Sequence, residues 1–225
     1  MLSHPKKTVP EGPPNLTLRE RKNLMVCAHI QTAALDLFDA RGYTNVSVDD
    51  VAEAAGVSVS TVYRHFGAKE RLVTHDELDG ALARAILAVD PSVPLLAATR
   101  QVFDQMRPAL AQDAEAFERR VRYMIDEPAV HTAFIQETAA LADYLAAQDQ
   151  RRRGLVPPAD PDGGATPPHV RLRLDDPEAV TRFLTAHTLV GAIVTAVHIW
   201  RGGDFTAELT DILDSCLDQL EGGLR

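Results

Sequence analysis

Apolar residues recur along most of this chain with the 3.6-residue period of amphipathic helices. Ile30, Ala33, Ala34, Leu37 and Phe38 fall at i, i+3, i+4, i+7 and i+8, one face of a first helix that Gly42 ends. Thr17, followed three residues later by Glu20, has the form of a capping box at its start. A second box, Ser47 with Asp50, opens a shorter stripe of Val48, Val51, Ala52 and Ala55. Gly56 then marks a sharp turn and Ser58 caps the next helix. There Val59, Val62 and Phe66 face inward, leaving Ser60, Thr61, Tyr63, Arg64 and His65 outward. Gly67 stops that helix, and Lys69 opens a long one predicted to run to about Val89.

Beyond Asp90 the helical period continues, predicting helices near 93–108, 112–125, 128–152, 177–201 and 204–221, with Pro91, Pro94, Pro108 and Pro128 at or near boundaries. No segment shows sustained period-two alternation, so the fold class is all-α. The last two helices are the most apolar. Leu209, Ile212, Leu213, Cys216, Leu217 and Leu220 form one stripe, and Val180, Phe183, Leu184, His187, Gly191, Val194 and His198 the other. Such a pair fits either a homodimer interface or burial within one chain. Residues 1–16, with four prolines and no apolar period, read as a disordered arm. Its Lys6 and Lys7 are candidates for a phosphate contact or for a solvated tail. Residues 153–176 are rich in proline and glycine and read as a flexible loop.

Composition adds boundaries to this picture. Of 225 residues, 45% are apolar and 24% charged, as in an ordinary globular protein. No uninterrupted apolar run approaches the roughly 18 residues of a membrane span. The N-terminus lacks the apolar core of a signal peptide, so a cytoplasmic protein with no membrane partner is expected. Cys27 and Cys216 lie far apart without a CxxC partner and read as reduced, packed thiols. The net charge of −9 is unevenly spread: residues 1–72 hold nine Lys/Arg against eight Asp/Glu, the remainder 14 against 24. An acidic body behind a nearly neutral head repels DNA everywhere except at the head.

Two short helices joined by a glycine turn, the second with polar, basic and aromatic side chains on its free face, make a helix-turn-helix suited to the DNA major groove. The run Ser47 to Leu72, SVDDVAEAAGVSVSTVYRHFGAKERL, preceded by Phe38, Gly42 and Tyr43, resembles the TetR family of bacterial transcription regulators. The likeness covers residues 17–72 and includes Val51-Ala52, Ala55-Gly56-Val57-Ser58, Thr61-Val62-Tyr63, His65-Phe66 and Lys69-Glu70.

The resemblance implies a helix-turn-helix domain over 17–68 and a helical effector-binding and dimerisation domain over 69–225. It implies a homodimer, formed through the last two helices, on a double-stranded operator. Thr44, Ser47, Ser58, Tyr63 and Lys69 match positions that usually contact phosphates. Ser60, Thr61, Arg64 and His65 lie on the face that meets bases. Arg64 is the first choice for a base reader, since a guanidinium can bond guanine O6 and N7 together; a phosphate contact is its alternative. The chain departs from many relatives in having Val59 and Ser60 for a lysine and a glycine, and Ala68 for a serine. These changes imply fewer electrostatic contacts and a weaker cap for the following helix.

A small, apolar effector is expected among the central helices, with Phe103, Met106, Phe117, Tyr123, Phe134, Tyr144, Phe183 and His187 as candidate lining residues, each also readable as core. From Leu95 onward the chain is similar to members that sense acyl-CoA-like molecules, with Arg107, Arg119, Arg120 and Arg122 placed either for phosphates or on a solvated face. His187 and His198 share a helix face but lack a third ligand at metal spacing, so no metal and no cofactor is expected. No GxSxG, HExxH, P-loop or Rossmann glycine pattern is present, which argues against an enzyme. An architectural DNA-binding protein without an effector is the other alternative, but it has no need of over 100 helical residues behind its reading head. Repression rather than activation rests on the family resemblance alone.

Overall fold

The computed structural model describes residues 18–75, 84–112, 114–153 and 176–223, and among these it contains helices and no strand. The 1–16 arm with Lys6 and Lys7, Thr17, and residues 154–175 of the proline-rich loop lie outside the described residues. The chain divides into two compact units after Gly67.

In the first unit, α1 (Leu18–Arg41) leads through a single 3-10 turn (Tyr43–Asn45) to α2 (Val48–Ala54) and α3 (Val59–Phe66). Ile30, Ala34 and Phe38 of α1, Val51 and Ala52 of α2, and Val62 and Phe66 of α3 are buried. Fully burying each large member of this set contributes roughly 1.5–3 kcal/mol as an upper bound. Both halves of the α2 capping box form: Asp50 N donates to Ser47 Oγ at 3.1 Å and Ser47 N donates to the Asp50 carboxylate at 2.7 Å. Gly56 takes φ 63° in the turn and Gly67 takes φ 75° at the end of α3. Those left-handed conformations cost little only without a Cβ, so the chain turns where its glycines stand.

The second unit begins with α4 (Arg71–Thr74) and continues with a helical stretch at 84–88 (α5), α6 (Leu95–Gln112), α7 (Ala114–Asp126), α8 (Pro128–Arg152), α9 (Pro177–Gly202) and α10 (Leu209–Glu221). Its core gathers Leu95, Ala98 and Val102 of α6, Leu145 and Ala146 of α8, Leu189 and Val190 of α9, and Leu217 of α10.

Three expectations about its helices are revised. The predicted continuous helix from Lys69 to Val89 is interrupted: His75 is extended at φ −64°, ψ 120°, so α4 ends after one turn. The Arg120 guanidinium donates to the carbonyls of Val73 at 2.8 Å and Thr74 at 3.4 Å, which in an unbroken helix would accept from amides at 77 and 78. Pro108 lies inside α6 rather than at its end, and only about one further turn follows the missing amide. The last helix starts at Leu209 rather than near 204. Asp204 and Phe205 adopt positive φ, and Phe205 packs edge-on to Trp200 with ring centroids 4.8 Å apart.

Although no uninterrupted apolar run is long enough, α9 as a whole is long and apolar enough to cross a membrane by length and composition. Its Ala186, Leu189, Val190, Ala196, Val197 and Trp200 are buried, which sets one face of it in the core.

Candidate nucleic-acid interface

The free face of α3 is built by its own cap and by what anchors its back. Ser58 Oγ accepts from Thr61 N at 3.1 Å, closing the N-terminus. The same hydroxyl lies 2.9 Å from Ser60 Oγ and 2.8 Å from Thr61 Oγ1, so three hydroxyls converge on one end of the helix. With Val62 and Phe66 buried, Tyr63 is left 51% exposed and Arg64 is exposed beside it. Among the described residues no carboxylate pairs with Arg64. An exposed guanidinium, a phenol and a hydroxyl cluster on one short helix form a donor-rich surface, the chemistry that phosphate oxygens and the acceptor edges of bases require.

The candidates Thr44, Ser47 and Lys69 lie outside α3. Thr44 is exposed in the 3-10 turn, and Ser47 is exposed while serving the α2 capping box. Lys69 is half-buried and belongs to the second unit. His65 was expected outward with Arg64 but is half-buried, its Nδ1 3.5 Å from the Sγ of buried Cys27 on α1. His29 Nε2 donates to the Ala55 carbonyl at 3.0 Å, tying α1 to the turn before α3. Sequence reasoning passed over both contacts. Cys27 does sit three residues before Ile30, on the buried face of α1, which was the available signal. The Glu70 position before α4 makes no side-chain cap, in keeping with the loss of a capping serine at Ala68.

In the second unit the effector candidates are not brought to one place. Met106, Tyr144 and Phe183 pack on the same core. His187 lies beside them, its ring centroid 4.0 Å from that of Phe183 and its Nε2 3.0 Å from Asp143 Oδ1. Phe117 is elsewhere, stacked on Trp200 at 5.9 Å and beneath the Arg120 guanidinium. Phe103, Tyr123 and Phe134 are half-buried. An open depression of about 460 Å³ lies near the end of α10, lined by Ser215, Asp218, Gln219, Glu221 and Gly222, none of them a candidate and none apolar enough for a greasy ligand.

The arginines weighed for phosphate recognition are engaged. Arg107 pairs with Asp214 and, at 3.0 Å, with Asp104; the hydrogen bonds it donates to these carboxylates raise its pKa above the ordinary value. Arg122 pairs with Glu118 and lies over the Phe205 ring at 5.2 Å, and Arg120 is committed to the α4 carbonyls. Among the described residues no group of three or more His, Cys, Asp or Glu side chains is placed to hold a metal. His198 lies edge-on to His131 at 5.7 Å.

An exposed, donor-bearing helix set on two others across a glycine turn defines a helix-turn-helix DNA-binding protein. Residues 30–75 match the family model of bacterial regulatory proteins, tetR family. Over 202 residues the chain is 26% identical to a Mycobacterium tuberculosis protein named as the mycofactocin biosynthesis transcriptional regulator MftR, covering 87% of this chain and 89% of that one. Among solved structures, the fatty acid degradation regulator FadR from Bacillus halodurans superposes with a TM-score of 0.52 at 18% identity, covering 89% and 96% of the two chains. Thermus thermophilus FadR, a TetR family repressor solved with lauroyl-CoA, gives 0.50 at 17%, covering 88% and 95%. At such identities these two structures speak for the fold alone. Over residues 30–75 the chain carries the DNA-binding region of the tetR-family bacterial regulators that it resembles. Its relatives regulate transcription and are not enzymes.

Proposed function

We propose that the chain is a homodimeric, ligand-responsive regulator, a repressor that a small apolar effector releases from its operator in the cytoplasm. The domain boundaries of this reading are those expected from the sequence, 17–68 for the DNA-binding head and 69–225 for the effector and dimerisation body. The carrying observation is the free face of α3, with Ser60, Tyr63 and Arg64 exposed and Thr61 half-buried on a helix whose back is fixed in a core. Arg64 reads a base edge; Thr44, Ser47, Ser58, Tyr63 and Lys69 set register on phosphates.

Dimerisation through the last two helices is supported by an exposed stripe along α9: Thr181, Leu184, Thr188, Gly191, Thr195 and His198, spaced alternately by three and four residues. Leu184 is 59% exposed. The hydroxyls of Thr181 and Thr195 are turned back to the carbonyls of Pro177 and Gly191, so their methyl groups remain for a partner. Gly191 has open space where a Cβ would stand, which suits close approach of a second helix.

The effector reading rests on the half-buried group Met106, Tyr144, Phe183 and His187, and an acyl-CoA-like ligand fits the company of FadR with lauroyl-CoA. The paired state of Arg107, Arg120 and Arg122 means that such a ligand must find its phosphate partners elsewhere or displace existing bonds. A thermal-shift and gel-shift series with acyl-CoAs of increasing chain length tests this: a ligand that raises the melting temperature and releases DNA supports the sensor, and a full series that does neither overturns it. Operator affinity should also fall steeply with salt, as phosphate contacts demand. An architectural protein would bind with the same salt slope but without a preferred duplex.

A further inference from the structure

The back of the reading helix holds a hydrogen bond that packing alone does not call for. Cys27 is 2% exposed on the core face of α1, and its Sγ lies 3.5 Å from His65 Nδ1 across 38 residues of sequence. An alanine or valine would serve the same packing. His65 as a residue is half-buried, and the ring geometry turns its Nε2 away from the sulfur that Nδ1 meets.

Neutral imidazole carries one N–H, and the bond made by one nitrogen decides what the other offers. A thiol donating to Nδ1 places the ring proton on Nε2, so the outer edge presents a donor. The opposite arrangement, Nδ1–H donating to sulfur, leaves a bare lone pair facing outward. Duplex DNA offers phosphate oxygens, guanine O6 and N7, adenine N7 and thymine O4, all acceptors, which a lone pair opposes and an N–H satisfies.

We propose that Cys27 is a positioning residue for DNA binding: its thiol donates to His65 Nδ1 and so fixes the Nε2–H tautomer that faces the operator. The inference rests on the reading of α3 as the DNA-facing helix. It gives the buried cysteine a role in recognition that its burial alone does not reveal.

The test uses the full chain with 15N-labelled histidine, the His65 signals being assigned by their loss in His65→Gln. Two-bond nitrogen–proton correlation at neutral pH should find His65 protonated at Nε2 in the wild type. Affinity is then measured on the duplex that the wild type enriches most from a random pool. Cys27→Val should weaken binding about three- to tenfold, the range of one modest hydrogen bond, and should cost nothing further in a His65→Ala background. Wild-type His65 found with its proton on Nδ1 overturns the proposal, as does a Cys27→Val loss of equal size with and without His65. If Cys27→Val does not fold, Cys27→Ala replaces it in the cycle, and the wild-type tautomer still decides. A wild type that enriches no duplex removes the DNA-binding reading itself and this inference with it; enrichment together with an uncoupled cycle removes only this inference.

Discussion

Replacing Arg120 by methionine keeps an unbranched side chain in place and removes the donors that close α4. Arg120 is 8% exposed, its Nε is 2.8 Å from the Val73 carbonyl and its Nη2 3.4 Å from that of Thr74. A hydrogen bond from a charged donor contributes about 1.5–3 kcal/mol, and the longer second contact adds little. A cation at a helix C-terminus adds about 0.3–1 kcal/mol, while relief of the guanidinium's desolvation offsets part of the sum. Arg120→Met should therefore lower stability by about 2–3 kcal/mol, leaving carbonyls that the extended backbone at His75 keeps from any next helical turn. Arg120→Lys, a point charge without the planar fork, should lose about half as much. The single tryptophan, Trp200, stacks on Phe117, over which Arg120 sits, so its fluorescence reports on this place during urea unfolding. At fixed protein concentration, and with a slope near 2 kcal/mol per molar, the midpoint should fall by about 1 M or slightly more. A shift below about 0.3 M with unchanged slope would refute the assignment of Arg120 as the closure of α4.

Other outcomes follow from the same geometry. Arg64→Ala should cost about 1–3 kcal/mol of specific binding and relax preference at one base pair of each half-site, read by competition with single-base operator variants. A uniform loss across all variants would make Arg64 a phosphate contact instead. Leu184→Glu should shift the chain from dimer to monomer in sedimentation velocity, since it places two like charges on the exposed α9 stripe; a dimer that persists moves the interface elsewhere. Burial raises the Cys216 thiol above its ordinary value. Its proton is therefore held more tightly in the folded chain. Stability should be unaffected while both states remain protonated, then fall as pH rises past the thiol pKa of the unfolded chain toward the raised folded one. Alkylation of Cys216, followed by peptide mapping, should accordingly gain rate at a higher pH in the native protein than in urea.

The reading head was legible because its signals are local. Ser47 with Asp50, Gly56, Ser58 and Gly67 each act within a few residues, and the caps and turns form where the sequence places them. The orientation of His65 was not legible, because it depends on Cys27 across two helices. The break after Thr74 escaped notice for the same reason: the donor that satisfies its carbonyl comes from Arg120, 46 residues away. The α9–α10 turn was misplaced because Asp204 and Phe205, neither of them glycine, adopt left-handed conformations beside Trp200. Aromatic residues of the body were visible as a set but not as neighbours. Helical periodicity tells which residues turn inward, yet Phe117 and Phe183 turn toward different partners.

The central claim, that α3 presents Tyr63 and Arg64 to a duplex groove, is tested most directly by hydroxyl-radical footprinting of the full chain on the duplex it enriches best. Two protected stretches on one face of the DNA, about one helical turn apart, with protection weakened in both by Arg64→Ala, are the predicted result. No protected stretch above that on random duplex at moderate salt, or a footprint that Arg64→Ala leaves unchanged in strength and sequence, would contradict it.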